Sequence, residues 1–275
     1  MAARTALEDG LQHSDNRTTT TTTTTTTIAA TTSTTPSIPS TIQCLPSPTS
    51  TPGPATRVSS PLALPSPVCP TPSKTDALQA LAAAKMNGLE IALPEFNYPE
   101  DNKKPEWLAK FPLGKVPALE TASDPPVCIA ESGAVAHFVA ASGPASAQLL
   151  GATPEVCARI LQWILHNEHE AFPSVLTGIM HKRGRRPFVQ QNEDNARKTI
   201  DRIAAVMEAQ LEQHPWLART DRFSLADLVA AATFSSALKD WLPSDWRDAH
   251  PNTVAWYLRV LKEFPDIFGE PAFLE

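Results

Sequence analysis

The chain has 275 residues, 27 prolines and a formal net charge of −6 at pH 7. Residues 1–75 carry a net charge of +1, so residues 76–275 carry −7. An acidic body argues against nucleic acid as the main partner, and no apolar run approaches the length of a membrane span.

The first 75 residues are predicted to be a disordered tail. Residues 18–27 are an unbroken run of threonine, and residues 33–73 are mostly Ser, Thr and Pro with no aromatic residue. This composition cannot bury enough apolar surface to offset the entropy lost on ordering the chain. The start lacks the apolar core of a signal peptide, so we expect a cytoplasmic protein with reduced thiols. The spacing predicts neither a disulfide framework nor a metal site for Cys44, Cys69, Cys128 and Cys157.

Residues 76–145 are predicted to form an α/β unit with the element order α-β-α-β-β-α. Apolar periodicity, first-turn prolines and Gly88 as a C-terminal cap predict helices at 76–87, 105–110 and 132–141, and strands at 89–93, 116–120 and 127–130. This is the order of a thioredoxin-like domain that lacks its first strand. Alternating prolines at 66–75 cannot form a central strand. One hypothesis is that the tail is a mispredicted or diverged replacement for a normal first strand, and transcript sequencing tests it.

Residues 152–275 are predicted to form an all-helical bundle domain. Thr153 before Pro154 has the form of a helix start. A long helix carries an apolar stripe of Ala196, Ile200, Ile203, Ala204, Met207 and Leu211. The run from Ser224 to Asp227 has the form of a capping box, and we expect it to serve folding rather than chemistry.

Two charged clusters have simple structural interpretations. The basic run 182–186, Lys-Arg-Gly-Arg-Arg, is interpreted as a solvated loop between helices rather than a phosphate-binding or targeting patch. His166, Glu168, His169 and Glu170 lack the spacing of a zinc-binding helix. A solvated helix face is therefore preferred there, and no metal site is predicted.

One stretch of the α/β unit has the features of a small-anion site built mostly from backbone. The Val116-Pro117 bond leads into a short apolar strand, where a cis proline would free the Val116 N–H and C=O for a ligand. Ser132 is predicted to be the N-cap of the next helix, whose start offers backbone donors, a hydroxyl and a positive dipole end. Together these elements would hold a peptide-like anion, which pairs with Val116 at one end and rests on Glu131 and Ser132 at the other.

The order Phe-Pro-Leu-Gly-Lys-Val-Pro-Ala-Leu at 111–119, followed by Glu131-Ser132, resembles the glutathione site of the glutathione transferase superfamily. Segments 85–91, 105–111 and 177–181 are similar to the transferase-like domain of the gamma subunit of eukaryotic elongation factor one. The resemblance implies a glutathione transferase-like fold, with a thioredoxin-like, glutathione-binding domain at 76–145 and an all-α domain at 152–275. It also implies a homodimer and the glutathione-binding residues Lys115, Val116, Pro117, Glu131 and Ser132.

The residue that would activate the glutathione thiol is not identified by the resemblance. In the family, a Tyr, Ser or Cys at the end of the first strand donates a hydrogen bond to the sulfur and lowers the thiol pKa. Neither Tyr98 nor Tyr257 precedes the first helix, which excludes the tyrosine form. Cys69, Ser73 and Thr75 are candidates by proximity alone, and we expect none of them to act in the family's manner.

Two functions are implied by the resemblance. The first is a transferase-like protein that joins glutathione, as co-substrate rather than cofactor, to a hydrophobic electrophilic small molecule in a biosynthetic or detoxification pathway. The second is a non-catalytic scaffold of the translation elongation complex, and a fold used only for dimerisation or docking would equally lack thiol chemistry. The gamma subunit continues into a second domain, whereas this chain stops at Glu275, so the first function is preferred. The acceptor would lie near Trp163, Phe172, Ile179 and Met180, for which core packing is an equal alternative.

Overall fold

A four-stranded sheet and eleven α-helices make up the described part of the chain. The computed structural model describes residues 60–63, 73–94 and 96–275, with the backbone alone for 60–63 and 73–76. The strands are β1 (Ser60–Ala63), β2 (Ile91–Ala92), β3 (Ala118–Glu120) and β4 (Cys128–Ala130). The first three helices are α1 (Ser73–Asn87), α2 (Pro105–Lys110) and α3 (Ser132–Ala141). The others are α4 (Ser146–Leu150), α5 (Pro154–His166), α6 (Phe172–Met180), α7 (Gln190–Gln213), α8 (Leu225–Asp240), α9 (Ser244–Ala249), α10 (Pro251–Glu263) and α11 (Pro265–Phe268).

The sheet has the strand order β2-β1-β3-β4. β1 runs parallel to β2 and antiparallel to β3, where Leu62 lies opposite Leu119. β3 and β4 are also antiparallel, and α3 packs against both strands and against α1. The order β-α-β-α-β-β-α is that of a thioredoxin-like domain, as predicted, and the helices from α4 onward form the second, all-α part.

The first strand was predicted to be missing, because alternating prolines exclude it from 66–75, but it is present earlier in the chain as β1. It occupies residues 60–63, inside the tail predicted to be disordered, while residues 1–59 and 64–72 lie outside the described residues. β1 contains one proline, Pro61, whereas prolines alternate through 66–75. The argument that alternating prolines prevent a strand therefore applies to 66–75 and not to β1. α1 likewise begins at Ser73 rather than at residue 76.

α1 is enclosed on two sides, and most of the residues described as buried in it are alanines. It packs against α3 and against α8, and the alanines that mediate these contacts are at most 3% exposed: Ala77, Ala80, Ala82, Ala83 and Ala84. The helix ends at Gly88 as predicted, with φ at 63°. The Leu89 N–H donates to the Ala84 carbonyl and the Gly88 N–H to the Lys85 carbonyl, which is the Schellman motif.

Asn87 fixes the end of α1 to the end of α3. Its buried Nδ2 donates to the carbonyl oxygens of Val139 (2.8 Å) and Ala140 (3.1 Å), and its Oδ1 accepts from the Ala145 N–H at 2.8 Å. The last carbonyls of a helix have no partner within the helix, so this amide supplies donors where they are needed. α3 is therefore held in a defined position on α1.

The buried centre of the helical part is α8, and the predicted capping box at its start is confirmed. The Asp227 carboxylate accepts from the Ser224 N–H at 2.9 Å and from the Ser224 hydroxyl at 3.0 Å. It also accepts from the Leu217 N–H (3.0 Å) and from Trp256 Nε1 (2.9 Å). The predicted stripe of α7 is buried throughout. Asp227 thus joins the loop before α8 to α10.

Replacing Gly178 by alanine is expected to destabilise the protein. A Cβ at this position would lie 2.1 Å from Cε2 of Trp241, whose ring is 1% exposed and whose Nε1 donates to Glu193. We expect overpacking to lower the free energy of unfolding by about 1–3 kcal/mol. The higher helix propensity of alanine, about 1 kcal/mol, offsets part of this loss. Urea unfolding measures the change, with Thr177→Ala on the same helix as control. A Gly178→Ala protein as stable as the wild type would contradict the prediction.

Candidate functional site

The Val116–Pro117 peptide bond is cis, as predicted. It lies immediately before β3, and the Val116 backbone makes no hydrogen bond with another described residue. Lys115 precedes it, with Nζ 3.5 Å from Oε1 of Glu131 in a mostly exposed ion pair. The structure therefore brings Lys115, Val116 and Pro117 together with Glu131.

α3 spans the predicted residues, but its N-cap is Glu131 and not Ser132, as was predicted. Ser132 is the first helical residue and Glu131 is the N-cap, with φ 70° and ψ 127° and no side-chain hydrogen bond to the helix. The first helical bond runs from the Val135 N–H to the Glu131 carbonyl at 2.9 Å. The free N–H groups and the positive dipole end of this ten-residue helix favour an anion at its start. A serine in the first turn still places its hydroxyl beside that anion.

Glu131 holds a backbone conformation that side chains rarely adopt. A positive φ in a residue other than glycine costs on the order of 1–3 kcal/mol and persists where the surroundings impose it, often at ligand sites. Asn87 holds the far end of α3, and β4 ends at Ala130, directly before Glu131. The strained residue thus lies between two fixed elements.

Replacing Glu131 by glycine is expected to change stability and ligand binding in opposite directions. Glycine adopts positive φ without steric cost, so Glu131→Gly should raise the free energy of unfolding by about 1 kcal/mol. Loss of the carboxylate should weaken the binding of a ligand ammonium. Glu131→Ala is the matched control, since it removes the carboxylate and keeps the strain. Urea unfolding and calorimetric titration with glutathione measure both effects, and equal stability of the two variants would contradict the strain argument.

Glu168, from the helical part, faces the start of α3. It lies in a π-helical turn, Asn167–Ala171, between α5 and α6. Its Oε1 is 3.4 Å from the position that a Cβ on Gly133 would take. Burial, followed by the negative charge of Glu131, raises the pKa of the Glu168 carboxyl, and His169 and the nearby Ser132 hydroxyl oppose this. Single π-helical turns are frequent at functional sites.

Two carboxylates therefore stand beside the positive end of a helix. Glu131 and Glu168 favour a cation near both of them, whereas the N–H groups of α3 favour an anion. A zwitterion, such as the free α-amino and α-carboxyl groups of an amino acid, satisfies both requirements. The Val116 backbone, which has no hydrogen-bond partner among the described residues, can pair with a peptide attached to that amino acid, and Lys115 adds a positive charge beside it.

Sequence reasoning missed Glu168, which it placed on a solvated helix face with His166, His169 and Glu170. A π turn inserts one residue into the helical repeat, so the 3.6-residue period assigns the wrong face. The available signal was Pro173, which has no N–H to donate to the preceding turn and so disturbs a helix before it. Glu170 points elsewhere and pairs with Arg202.

The end of β1 lies beside the cis proline. Ala63, its last residue, is opposite Ala118, which follows Pro117. The chain that leads from β1 to α1 therefore leaves the sheet next to the Val116–Pro117 bond. Ser73 and Thr75 are in the first turn of α1, where only the backbone is described, and Cys69 lies outside the described residues. Tyr257 is not a candidate for activating a thiol. Burial raises the pKa of its hydroxyl, which donates a hydrogen bond to Ser235.

The positions suggested for an acceptor divide into two groups. Ile179 and Met180 belong to the core, with 2% and 6% exposure, whereas Trp163 and Phe172 are half-buried. Within residues 73–94 and 96–275, no three His, Cys, Asp or Glu side chains are grouped so that they could hold a metal ion. No helix in the described ranges has both the length and the hydropathy to cross a membrane.

Family models match both parts of the chain. The glutathione S-transferase N-terminal domain matches residues 70–141, and the C-terminal domain matches residues 170–263. The glutathione S-transferase-like protein LUC7 of Fusarium sp is 39% identical over 197 residues, which cover 71% of this chain and 89% of that protein. Elongation factor 1-gamma of Homo sapiens is 32% identical over 210 residues, which cover 74% of this chain and 46% of that protein.

Solved structures agree with these matches. The GST-like domain of elongation factor 1-gamma from Saccharomyces cerevisiae has a TM-score of 0.62 and 25% identity, and covers 72% of this chain and 91% of that one. Glutathione transferase F7 from Populus trichocarpa has a TM-score of 0.63 and 22% identity, with coverage of 77% and 99%. The second likeness shows the shared fold.

Proposed function

The chain belongs to the glutathione S-transferase family, and from this premise we propose that it binds glutathione as a co-substrate and conjugates it with a hydrophobic electrophilic small molecule. The observation that carries the proposal is the zwitterion site formed by Glu131, Glu168 and the start of α3, next to the cis Val116–Pro117 bond.

Glutathione matches this site group by group. Its γ-glutamyl end is a free amino acid, whose ammonium fits between Glu131 and Glu168 and whose carboxylate fits the N–H groups and hydroxyl at Ser132. Its cysteinyl backbone pairs with the N–H and C=O of Val116. Lys115, whose Nζ is 3.5 Å from Oε1 of Glu131, lies at the same γ-glutamyl end and attracts its carboxylate. The same five residues, Lys115, Val116, Pro117, Glu131 and Ser132, were predicted from the sequence, and Glu168 is added to them here.

The reaction is a nucleophilic substitution or addition by the glutathione sulfur. The thiol gives its proton to solvent, and the thiolate forms a carbon–sulfur bond to the electrophile; with an aryl halide, the carbon–halogen bond breaks and halide leaves. A helix N-terminus lowers the pKa of a thiol near it, and we propose this role for the start of α1.

The test combines binding with catalysis. Calorimetric titration should show glutathione binding, and glutathione with chlorodinitrobenzene should yield the conjugate. Ser132→Ala removes a hydroxyl at the charged end of the ligand and should weaken binding about tenfold, as expected for a hydrogen bond to a charged group. Ser142→Ala, at the other end of α3, is the matched control. Absence of both binding and conjugation in the wild type would refute the proposal.

A non-catalytic scaffold of the translation elongation complex is the second candidate, supported by the similarity to elongation factor 1-gamma. It is expected to copurify with elongation factors and to form no conjugate. The proposed homodimer is tested by light scattering, which should give twice the 29.7 kDa mass of the chain.

A further inference from the structure

The turn between α2 and β3 carries Val116, whose backbone would pair with the cysteinyl part of glutathione. Burial fixes this turn at its two ends, because Phe111 and Pro117 are both buried. Between them the chain runs at the surface, where Leu113 is 72% exposed and Lys115 is also exposed. The peptide group that carries the Val116 N–H lies in this exposed stretch. A contact other than apolar packing is therefore needed to hold that N–H in place.

The Asn102 side chain supplies such a contact. Its Nδ2 donates to the Gly114 carbonyl at 2.6 Å, across 12 positions of the chain, and Asn102 is 8% exposed. The Gly114 N–H donates to the Phe111 carbonyl at 2.9 Å, so both polar backbone groups of Gly114 are bonded. The peptide group after the bonded carbonyl is the one that carries the Val116 N–H. Asn102 therefore acts one peptide group away from the proposed ligand contact.

Gly114 allows the two segments to approach this closely. Its φ is 59°, and a Cβ at this position would lie 2.9 Å from the Asn102 carbonyl oxygen and 3.3 Å from Cδ2 of Leu108. A side chain at position 114 would both disfavour this backbone conformation and push against Asn102. The absence of a Cβ thus lets the Asn102 amide reach the carbonyl.

The segment that carries Asn102 is itself fixed. Asn102 lies in a short 3₁₀ turn, Asp101–Lys103. Oδ2 of Asp101 accepts from the Asn97 N–H at 2.6 Å, and its Oδ1 is 2.7 Å from Nζ of Lys104. The Asp101 N–H donates in turn to the Asn97 carbonyl at 2.7 Å. The donor that holds Gly114 therefore belongs to a well-bonded turn.

The hydrogen bonding of the Asn102 amide is incomplete. Its Oδ1 is buried without a hydrogen-bond partner among the described residues. Buried acceptors normally have a partner, and leaving one without a partner costs at least as much free energy as one typical hydrogen bond contributes. Asn102 should therefore add little to the stability of the fold. This distinguishes it from a residue whose role is only structural.

We propose that Asn102 is a positioning residue of the glutathione site. It holds the Gly114 carbonyl and thereby presents the Val116 N–H to the cysteinyl main chain of the ligand. This role rests on the proposed function, because it concerns the same ligand. Asn102 acts through the turn and does not touch glutathione. The free amino-acid end of the ligand, which lies at Glu131 and Glu168, does not depend on it.

Calorimetric titration of the full chain with glutathione gives the Kd and the number of binding sites. Asn102→Ala should raise the Kd about tenfold, as expected when one hydrogen bond to the ligand is lost. The number of sites and the midpoint of urea unfolding should stay unchanged. Asn97→Ala is the matched control, since it makes the same change at an exposed position of the same segment. Its Kd should stay within about twofold of the wild-type value.

Gly114→Ala tests the same contact from the other side. The added Cβ should displace the turn from Asn102 and raise the Kd about tenfold or more. Gly184→Ala is its control, because Gly184 also has a positive φ, 65°, and an added Cβ would have no atom within 4 Å. It introduces the same backbone strain without the contact and should leave the Kd unchanged. Circular dichroism checks that each variant is folded. If Asn102→Ala does not fold, the comparison of Gly114→Ala with Gly184→Ala decides.

The possible failures are distinguishable. An unchanged Kd in Asn102→Ala, with glutathione binding by the wild type, would overturn the positioning role and leave the proposed function intact. Fewer binding sites at an unchanged Kd would show that Asn102 serves folding alone, and equal losses in Gly114→Ala and Gly184→Ala would show an effect of strain alone. Either result would also overturn the role. Absence of glutathione binding by the wild type would refute the proposed function and the role of Asn102 with it.

Discussion

Replacing Glu168 by glutamine is expected to weaken glutathione binding at pH 7 by about ten- to a hundredfold. The carboxylate lies beside Glu131 and the Ser132 hydroxyl at the start of α3, where the proposed ligand ammonium would bind. Loss of one partner of a charge pair that is largely removed from water costs about 2 kcal/mol or more, which corresponds to this range of affinity. Calorimetric titration of both proteins with glutathione gives the two dissociation constants.

The same carboxylate should make glutathione binding depend on pH. Burial and the Glu131 charge raise the pKa of Glu168, so Glu168 stays protonated to a higher pH than an ordinary glutamate, which ionises near pH 4.3. Only the ionised form attracts an ammonium. Glutathione keeps its charges from about pH 4.5 to 7.5, because α-carboxyl groups ionise near 3.5 and α-amino groups near 8. Affinity should therefore rise with pH through the raised pKa, and Glu168→Gln should remove this contribution.

The stability of the free protein should change in the opposite sense. A carboxyl whose pKa is higher in the folded than in the unfolded chain holds its proton more tightly when folded. Its contribution to stability therefore falls as pH rises from the unfolded value to the folded one. At neutral pH, Glu168→Gln removes this cost and should be at least as stable as the wild type in urea unfolding. Well below the ordinary glutamate pKa of about 4.3 the difference should vanish, since the carboxyl is then protonated in both states.

Glu170→Gln is the matched control for this residue. It makes the same chemical change two positions away in the same π turn, but Glu170 pairs with the exposed Arg202. It should leave glutathione affinity and its pH dependence unchanged. Tighter binding by Glu168→Gln would show that Glu168 repels the ligand carboxylate, and equal effects of the two variants would show a general effect of charge. Either result would contradict the ammonium site.

Local signals were sufficient to predict most of the elements around the site. α2 and α3 have the bounds that were predicted for them, because a first-turn proline marks the start of α2 and apolar periodicity marks α3, and both signals act within one or two helical turns. The cis Val116–Pro117 bond and the Schellman end at Gly88 are confirmed for the same reason. Strand lengths were overestimated, since β2 pairs over two residues. Pairing depends on a neighbouring strand that a local pattern does not show.

The parts that were not predicted depend on contacts between distant residues. β1 is a strand because β2 and β3 flank it, and its own four residues have no strong β-propensity. Glu168 joins the site because α3 meets the π turn, 36 positions away from Ser132 along the chain. Glu131 is the N-cap with positive φ because β4 runs directly into α3. In each case the outcome is imposed by tertiary packing, which overrides the local preference.

Replacing Asp227 by alanine is expected to lower the free energy of unfolding by about 3–5 kcal/mol, which is more than most single substitutions cause. The fully buried carboxylate accepts hydrogen bonds from Ser224, Leu217 and Trp256. Each buried donor left without a partner costs about 1–3 kcal/mol. Ser224 gains no substitute, because its hydroxyl and N–H both bond to this one carboxylate. The loss should be visible in urea unfolding as a lower midpoint.

Asp240→Ala provides the comparison for Asp227, because its partner Arg183 lies in the loop before α7 and both side chains are partly exposed. A surface ion pair contributes about 0–1 kcal/mol, so this variant should remain close to the wild type. Asp227 lies in the helical part, at the start of α8 rather than at the start of α3. The fraction of Asp227→Ala that stays folded should therefore bind glutathione with wild-type affinity. Lost affinity with unchanged stability would instead assign Asp227 to the site and contradict its role in folding.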